Sequence, residues 1–79
     1  MIKIMQQLMS FGMDFQYENY GSEGEKLTAY QLGLKVSTQD GKIYYSCSSE
    51  TEEFEENDAQ YLILSQRVQE ECINETASF

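Results

Sequence analysis

Carboxylates are the most abundant chemistry-bearing groups in this chain. Fourteen Asp and Glu stand against five Lys and Arg, and there is no His. Six acids, Glu50, Glu52, Glu53, Glu55, Glu56 and Asp58, fall within nine residues with no base among them. Clustered carboxylates can share proton transfer in hydrolysis, hold a hard metal ion, or present negative charge to a partner. Hydrolysis needs a cleft that holds substrate between the acids, and 79 residues leave little room for one. The D-x-[DN]-x-[DN]-G spacing of a calcium loop does not occur. Without His, the commonest general base and metal ligand near neutral pH is missing. Cys47 and Cys72 are too far apart for a CxxC pair, and no His completes a zinc set. Gly12, Gly21, Gly24, Gly33 and Gly41 match neither glycine-rich phosphate pattern. No catalytic set, cofactor or metal is therefore expected, and the chain reads as a non-enzyme. Presentation of charge remains.

The start MIKIMQQLMSFG is interrupted by Lys3, Gln6, Gln7 and Ser10, and no small-residue cleavage site follows, unlike a secretory leader. The expected location is the cytoplasm, where thiols stay reduced, so both Cys read as small buried hydrophobes. A disulfide between them is left open but not implied. Asn74-Glu75-Thr76 matches a glycosylation sequon and, without a secretory signal, is taken as chance.

The net charge of −9 and the pI near 4.1 exclude a conventional nucleic-acid binder, which releases phosphate counterions with Lys and Arg. No apolar run approaches the ~20 residues of a membrane span. A 41% hydrophobic and 13% aromatic content supports a core, so disorder is not expected either. The charge is unevenly placed. Residues 1–49 carry five acids and four bases, a net of −1, whereas residues 50–79 carry nine acids and Arg67 alone, a net of −8.

These residues must be positioned by a small set of elements. Met1, Ile4, Met5, Leu8 and Phe11 share one side of a helical wheel, predicting a first helix over Met1–Phe11 that Gly12 can cap. The period then changes to two. Met13, Phe15 and Tyr17 predict a strand, and 21–26 a polar loop. Tyr30, Leu32, Leu34 and Val36 predict a second strand, and Ile43, Tyr45 and Cys47 a third beyond an Asp40-Gly41 turn. Ser49-Glu50-Thr51-Glu52 matches a capping box. A second helix is predicted over about 50–74, with Phe54, Tyr61, Val68 and Cys72 as its apolar stripe and Leu62 and Leu64 beside it. The expectation is one α+β domain over 1–79, helix–strand–strand–strand–helix, with a three-stranded antiparallel sheet packed against two helices.

On such a helix the six acids would place one charge per ~2 Å of axis, against one per ~1.7 Å in duplex DNA. The helix dipole favours acids in the first turn and accounts for two or three of them. Like charges one turn apart repel, so six invite either a basic partner or a purely solubilising role. Tyr17, Tyr20 and Tyr44 can anchor a partner or simply pack on the sheet. The wheel places Ile63 among Glu52, Glu56 and Glu70, an apolar point within the acidic side.

The element order resembles the double-stranded RNA-binding domain over roughly residues 4–70. Phe15-Gln16-Tyr17-Glu18 resembles that family's first-strand segment, and Ser22-Glu23-Gly24 falls at its variable strand loop. Val36 through Gly41-Lys42-Ile43 resembles its second hairpin, and Ser49 precedes the last helix as a small polar residue does there. The family's Gly-Pro-x-His loop is here Gly24-Glu25-Lys26-Leu27, and its Lys-rich helix start is Thr51-Glu52-Glu53-Phe54-Glu55-Glu56. The phosphate-gripping position is inverted in sign, so no RNA-binding residue carries over. In size and charge the chain is also similar to acidic phage inhibitors such as anti-CRISPR proteins. That similarity implies an inhibitor of a basic nucleic-acid-binding protein or effector complex, touching neither nucleic acid nor membrane. The expected partner-binding residues are Glu50, Glu52, Glu53, Glu55, Glu56, Asp58, Ile63 and Glu70. An adaptor or homodimerisation module on the RNA-binding frame is the alternative.

Overall fold

Two periodicities organise the chain, and the computed structural model, which describes residues 1–48 and 50–77, shows where one gives way to the other. Helix α1 spans Ile2–Ser10 and helix α2 spans Asp58–Ala77. Between them run five strands: β1 (Gln16–Asn19), β2 (Glu25–Ala29), β3 (Leu34–Gln39), β4 (Lys42–Cys47) and β5 (Glu50–Glu55). They form one antiparallel sheet in chain order. The class is α+β, as the patterning predicts, but the sheet has five strands rather than three.

Alternation puts Leu27 and Ala29, Leu34 and Val36, and Ile43 and Tyr45 on one sheet face. The helices cover that face with Ile4 and Leu8 from α1 and Leu64, Val68 and Cys72 from α2, all fully buried. The opposite face stays open and polar. The predicted stripe thus holds for Val68 and Cys72, with Tyr61 partly buried, whereas Leu62 is exposed.

α1 ends as its sequence predicts. Gly12 takes φ +68°, Met13 N–H donates to Leu8 C=O and Gly12 N–H to Met9 C=O, the paired closure of a Schellman motif. Asp40 and Gly41, both at positive φ, make the two-residue turn joining β3 to β4.

Three departures follow from turn chemistry. The first strand lies at Gln16–Asn19, two to three residues later than the alternation of Met13 and Phe15 indicates. The 21–26 loop is a 3-10 turn over Gly21–Glu23 followed directly by β2. Gly24 permits this close return, since a Cβ there would lie 1.8 Å from the Thr38 carbonyl oxygen. Tyr30–Leu32 forms a second 3-10 turn ended by Gly33 at φ +62°, which divides the predicted 30–36 strand and starts β3 at Leu34.

The largest correction concerns residues 50–57. Glu50, Thr51 and Glu52 do not open a helix but lie in β5, paired with β4 from Cys47↔Glu50 to Lys42↔Glu55; Ser49 of the expected box lies outside the described residues. Extending the chain sends alternate carboxylates to opposite sheet faces instead of stacking them one helical turn apart, and it lets Phe54 pack on the core. The helix starts later. Asn57 Oδ1 accepts the Gln60 N–H at 2.9 Å, so Asn57 is the N-cap of α2.

Candidate functional site, an acidic groove between strand β5 and helix α2

β5 is a margin of the sheet, and its alternation sorts the acidic run. Glu50, Glu52 and Phe54 stand opposite Cys47, Tyr45 and Ile43 on the helix side, while Thr51, Glu53 and Glu55 stand opposite Ser46, Tyr44 and Lys42 on the open face. On the helix side, α2 supplies Arg67, Glu70 and Glu71. Together with Tyr45, Cys47, Ser48, Glu50 and Glu52 these line an open groove of about 540 Å³.

Arg67 organises its floor. The guanidinium pairs with Glu52 and lies over two rings, 5.3 Å from the centre of Phe54 and 5.9 Å from that of Tyr45. Planar stacking suits a guanidinium and leaves its edge free for the carboxylate. Among the described residues lining the groove, Arg67 is the one cation beside Glu50, Glu70 and Glu71, and it is engaged by Glu52. Burial raises the Tyr45 hydroxyl to about 12, with the nearby Cys47 and Glu71 adding to the effect. Burial, then Glu71, also pushes the Cys47 thiol up, and Cys72 is raised by burial first and Glu71 second. Both cysteines are free thiols held in the protonated form, the opposite of what an activated nucleophile needs.

The expected partner-binding residues are therefore divided. Glu50, Glu52 and Glu70 meet at the groove. Glu53 and Glu55 lie across the sheet, where Glu53 stands opposite Tyr44 and Glu55 pairs with Lys42. Glu56 lies past the end of β5 and accepts the Tyr61 hydroxyl at 2.9 Å. Asp58, at the start of α2, borders Met1–Lys3 and Tyr61. Ile63 is 42% exposed and shares a helical line with Arg67 and Glu70, at i+4 and i+7. The grouping of Ile63 with Glu70 on one helix face holds; Glu52 and Glu56 belong to a different segment.

The hydroxyls of Tyr17 and Tyr20 are engaged locally, by Glu25 and Glu18. Glu71 and the structural use of Arg67 are additions that the acidic run did not reveal. Their signal was the Arg67-x-x-Glu70-Glu71 spacing, which places all three within one turn of helix.

The charge-density comparison with DNA changes as well. A strand rises ~3.3 Å per residue, so the acids of β5 are spread over two faces at roughly one per 5 Å. The negative charge is concentrated across the groove, between two elements, rather than along one axis. On the open face the central strands instead carry Lys26, Lys35 and Lys42, three of the five bases of the chain.

Among the described residues no group of three His, Cys, Asp or Glu side chains is arranged to hold a metal ion, and no helix is long and apolar enough to cross a membrane. Comparison with known protein families, curated proteins and solved structures finds no match to this chain.

Proposed function

We propose that this chain is a small, acidic, non-catalytic inhibitor that binds the basic surface of a nucleic-acid-binding protein and keeps DNA or RNA from it, as phage counter-defence proteins of anti-CRISPR type do. One observation carries the reading. Glu50, Glu52, Glu70 and Glu71 converge from a strand and a helix on one groove, and Arg67, the one base among the described residues lining it, is already paired with Glu52. Glu50, Glu70 and Glu71 are held together without that counter-charge and repel one another, and a basic partner relieves the repulsion. Purely solubilising acids gain nothing from converging.

The test is capture from lysate at low and high salt, comparing the parent with a variant carrying Glu50→Gln, Glu52→Gln, Glu70→Gln and Glu71→Gln. Basic nucleic-acid-binding proteins should be retained by the parent at low salt, released at high salt, and largely lost from the variant. Equal capture by the two chains at both salt concentrations would defeat the reading.

A second reading has its own observation. Ile2 and Met9 on α1 and Leu62 and Ile73 on α2 are exposed apolar side chains, 66%, 61%, 49% and 45% accessible, on two helices packed against each other. An adaptor or dimerisation module on a double-stranded-RNA-binding-like frame would use exposed apolar side chains of this kind. Sedimentation at micromolar concentration distinguishes it, since a salt-insensitive dimer favours this reading and a monomer the first.

A further inference from the structure

The outer edge of β5 has a backbone pattern as definite as its charge. The Asp40-Gly41 turn closes the β3–β4 hairpin at Gln39↔Lys42, and Glu56 N–H donates to Gly41 C=O at 2.9 Å. An antiparallel ladder alternates its bonding direction with every residue. Glu50, Glu52 and Phe54 therefore turn their N–H and C=O groups toward β4, and Thr51, Glu53 and Glu55 turn theirs away. β5 is the last strand of the sheet, and among the described residues no strand pairs with that side.

An open edge of this kind is a template for another strand. Its side chains decide which strand. Glu50 and Glu52 flank the edge on the groove side and Glu53 on the open face. A second copy adding β5 to β5 would set glutamates beside glutamates in a chain of net charge −9. Neutral strands gain only the ladder. An extended segment with Lys or Arg on both faces finds carboxylates on both, and the groove of about 540 Å³ has room for its helix-side side chains. The other margin, β1, is four residues long with Glu18 as its one acid and offers no such match.

We propose that the β5 edge is a strand-addition site for an extended Lys- or Arg-rich segment of the partner protein, which joins the sheet as a sixth strand bonded to Thr51, Glu53 and Glu55. The proposal rests on the acidic margin being a partner surface and specifies how that surface is used.

The probe is a nine-residue peptide, Lys-Lys-Val-Val-Lys-Lys-Val-Val-Lys, which in extended form carries Lys on both faces. It is compared with two forms N-methylated at every second residue, one for each register, which keep all the charge and each lack the N–H groups of one edge. Calorimetry should show the parent peptide binding at low salt and at least one methylated form binding at least tenfold more weakly. Amide exchange at Thr51, Glu53 and Glu55 should slow at least tenfold on binding, while exchange in Gln16–Asn19 stays unchanged. Thr51→Pro removes one outward N–H, costs no bond to β4 and retains every carboxylate, so it should also weaken the parent peptide at least tenfold. If Thr51→Pro does not fold, the methylated peptides and the exchange pattern decide alone. Equal binding of all three peptides, or binding without slowed exchange at those three amides, would overturn strand addition and leave the acidic-surface reading standing. No binding by any of the peptides would remove both.

Discussion

Tyr45 shows what the groove does to a single residue. Its ring is buried beneath Arg67, and burial raises the hydroxyl to about 12 from an ordinary value of 10.0. In the folded chain the phenol therefore keeps its proton over a range in which the unfolded chain has lost it. With more protons bound to the native state, stability falls as pH rises, here between about 10 and about 12. For a difference of one proton the slope is at most ~1.4 kcal/mol per pH unit in that window. Tyr61, raised by burial first and its bond to Glu56 second, contributes in the same direction. Tyr45→Phe should fold, lose little at pH 7, and show a shallower alkaline decline in urea-melt stability than the parent. Identical slopes would mean that the Tyr45 hydroxyl is not shielded as the structure shows.

At the scale of elements, what was legible in the sequence was whatever one short stretch decides by itself. Gly12 after an amphipathic run closes α1, Asp40-Gly41 turns a hairpin, and Val68 and Cys72 mark the buried side of α2. What was not legible depended on a neighbour. Glu50–Glu55 has acids compatible with a helix start, and only the free side of β4 and the packing of Phe54 make it a strand. The same uncertainty divided the candidate site, because a helical wheel cannot place Glu52 and Glu70 on elements that face each other across Arg67. Two helix-start candidates compete here: the capping-box match Ser49 with Glu52, and Asn57 as an N-cap. The structure uses the second, and the Asn57 side chain takes an otherwise unpaired N–H. Asn57→Ala should therefore destabilise the chain by about 0.5–2 kcal/mol in chemical denaturation. Thr51→Ala, in the first match but outside any helix, should change stability by less than about 0.5 kcal/mol. The reverse order would put the helix start back at residue 50.

At the scale of the whole molecule, the unbalanced charge acts on the fold as well as on a partner. The principal extents are 40, 23 and 20 Å. At 0.01 M salt the Debye length is ~30 Å, so acids at opposite ends of the shorter dimensions still sense one another, whereas at 0.15 M it is ~8 Å and only neighbours do. Unfolding separates the charges, so their repulsion counts against the compact state most at low salt. Among the described residues Lys42 with Glu55 and Arg67 with Glu52 oppose this, but both pairs are partly exposed and surface pairs contribute only ~0–1 kcal/mol each. With a net charge of −9, repulsion should win. Raising NaCl from 0.01 to 0.15 M should therefore increase the melting temperature. In a domain of this size a gain of about 1 kcal/mol appears as a rise of about 4–8 °C. Replacing the four groove glutamates with Gln should flatten that salt response, because four negative charges that the fold gathers on one groove are then gone. A parent chain that melts lower in 0.15 M salt would show that its ion pairs outweigh the repulsion. The groove would then hold no unrelieved charge for a basic partner to neutralise.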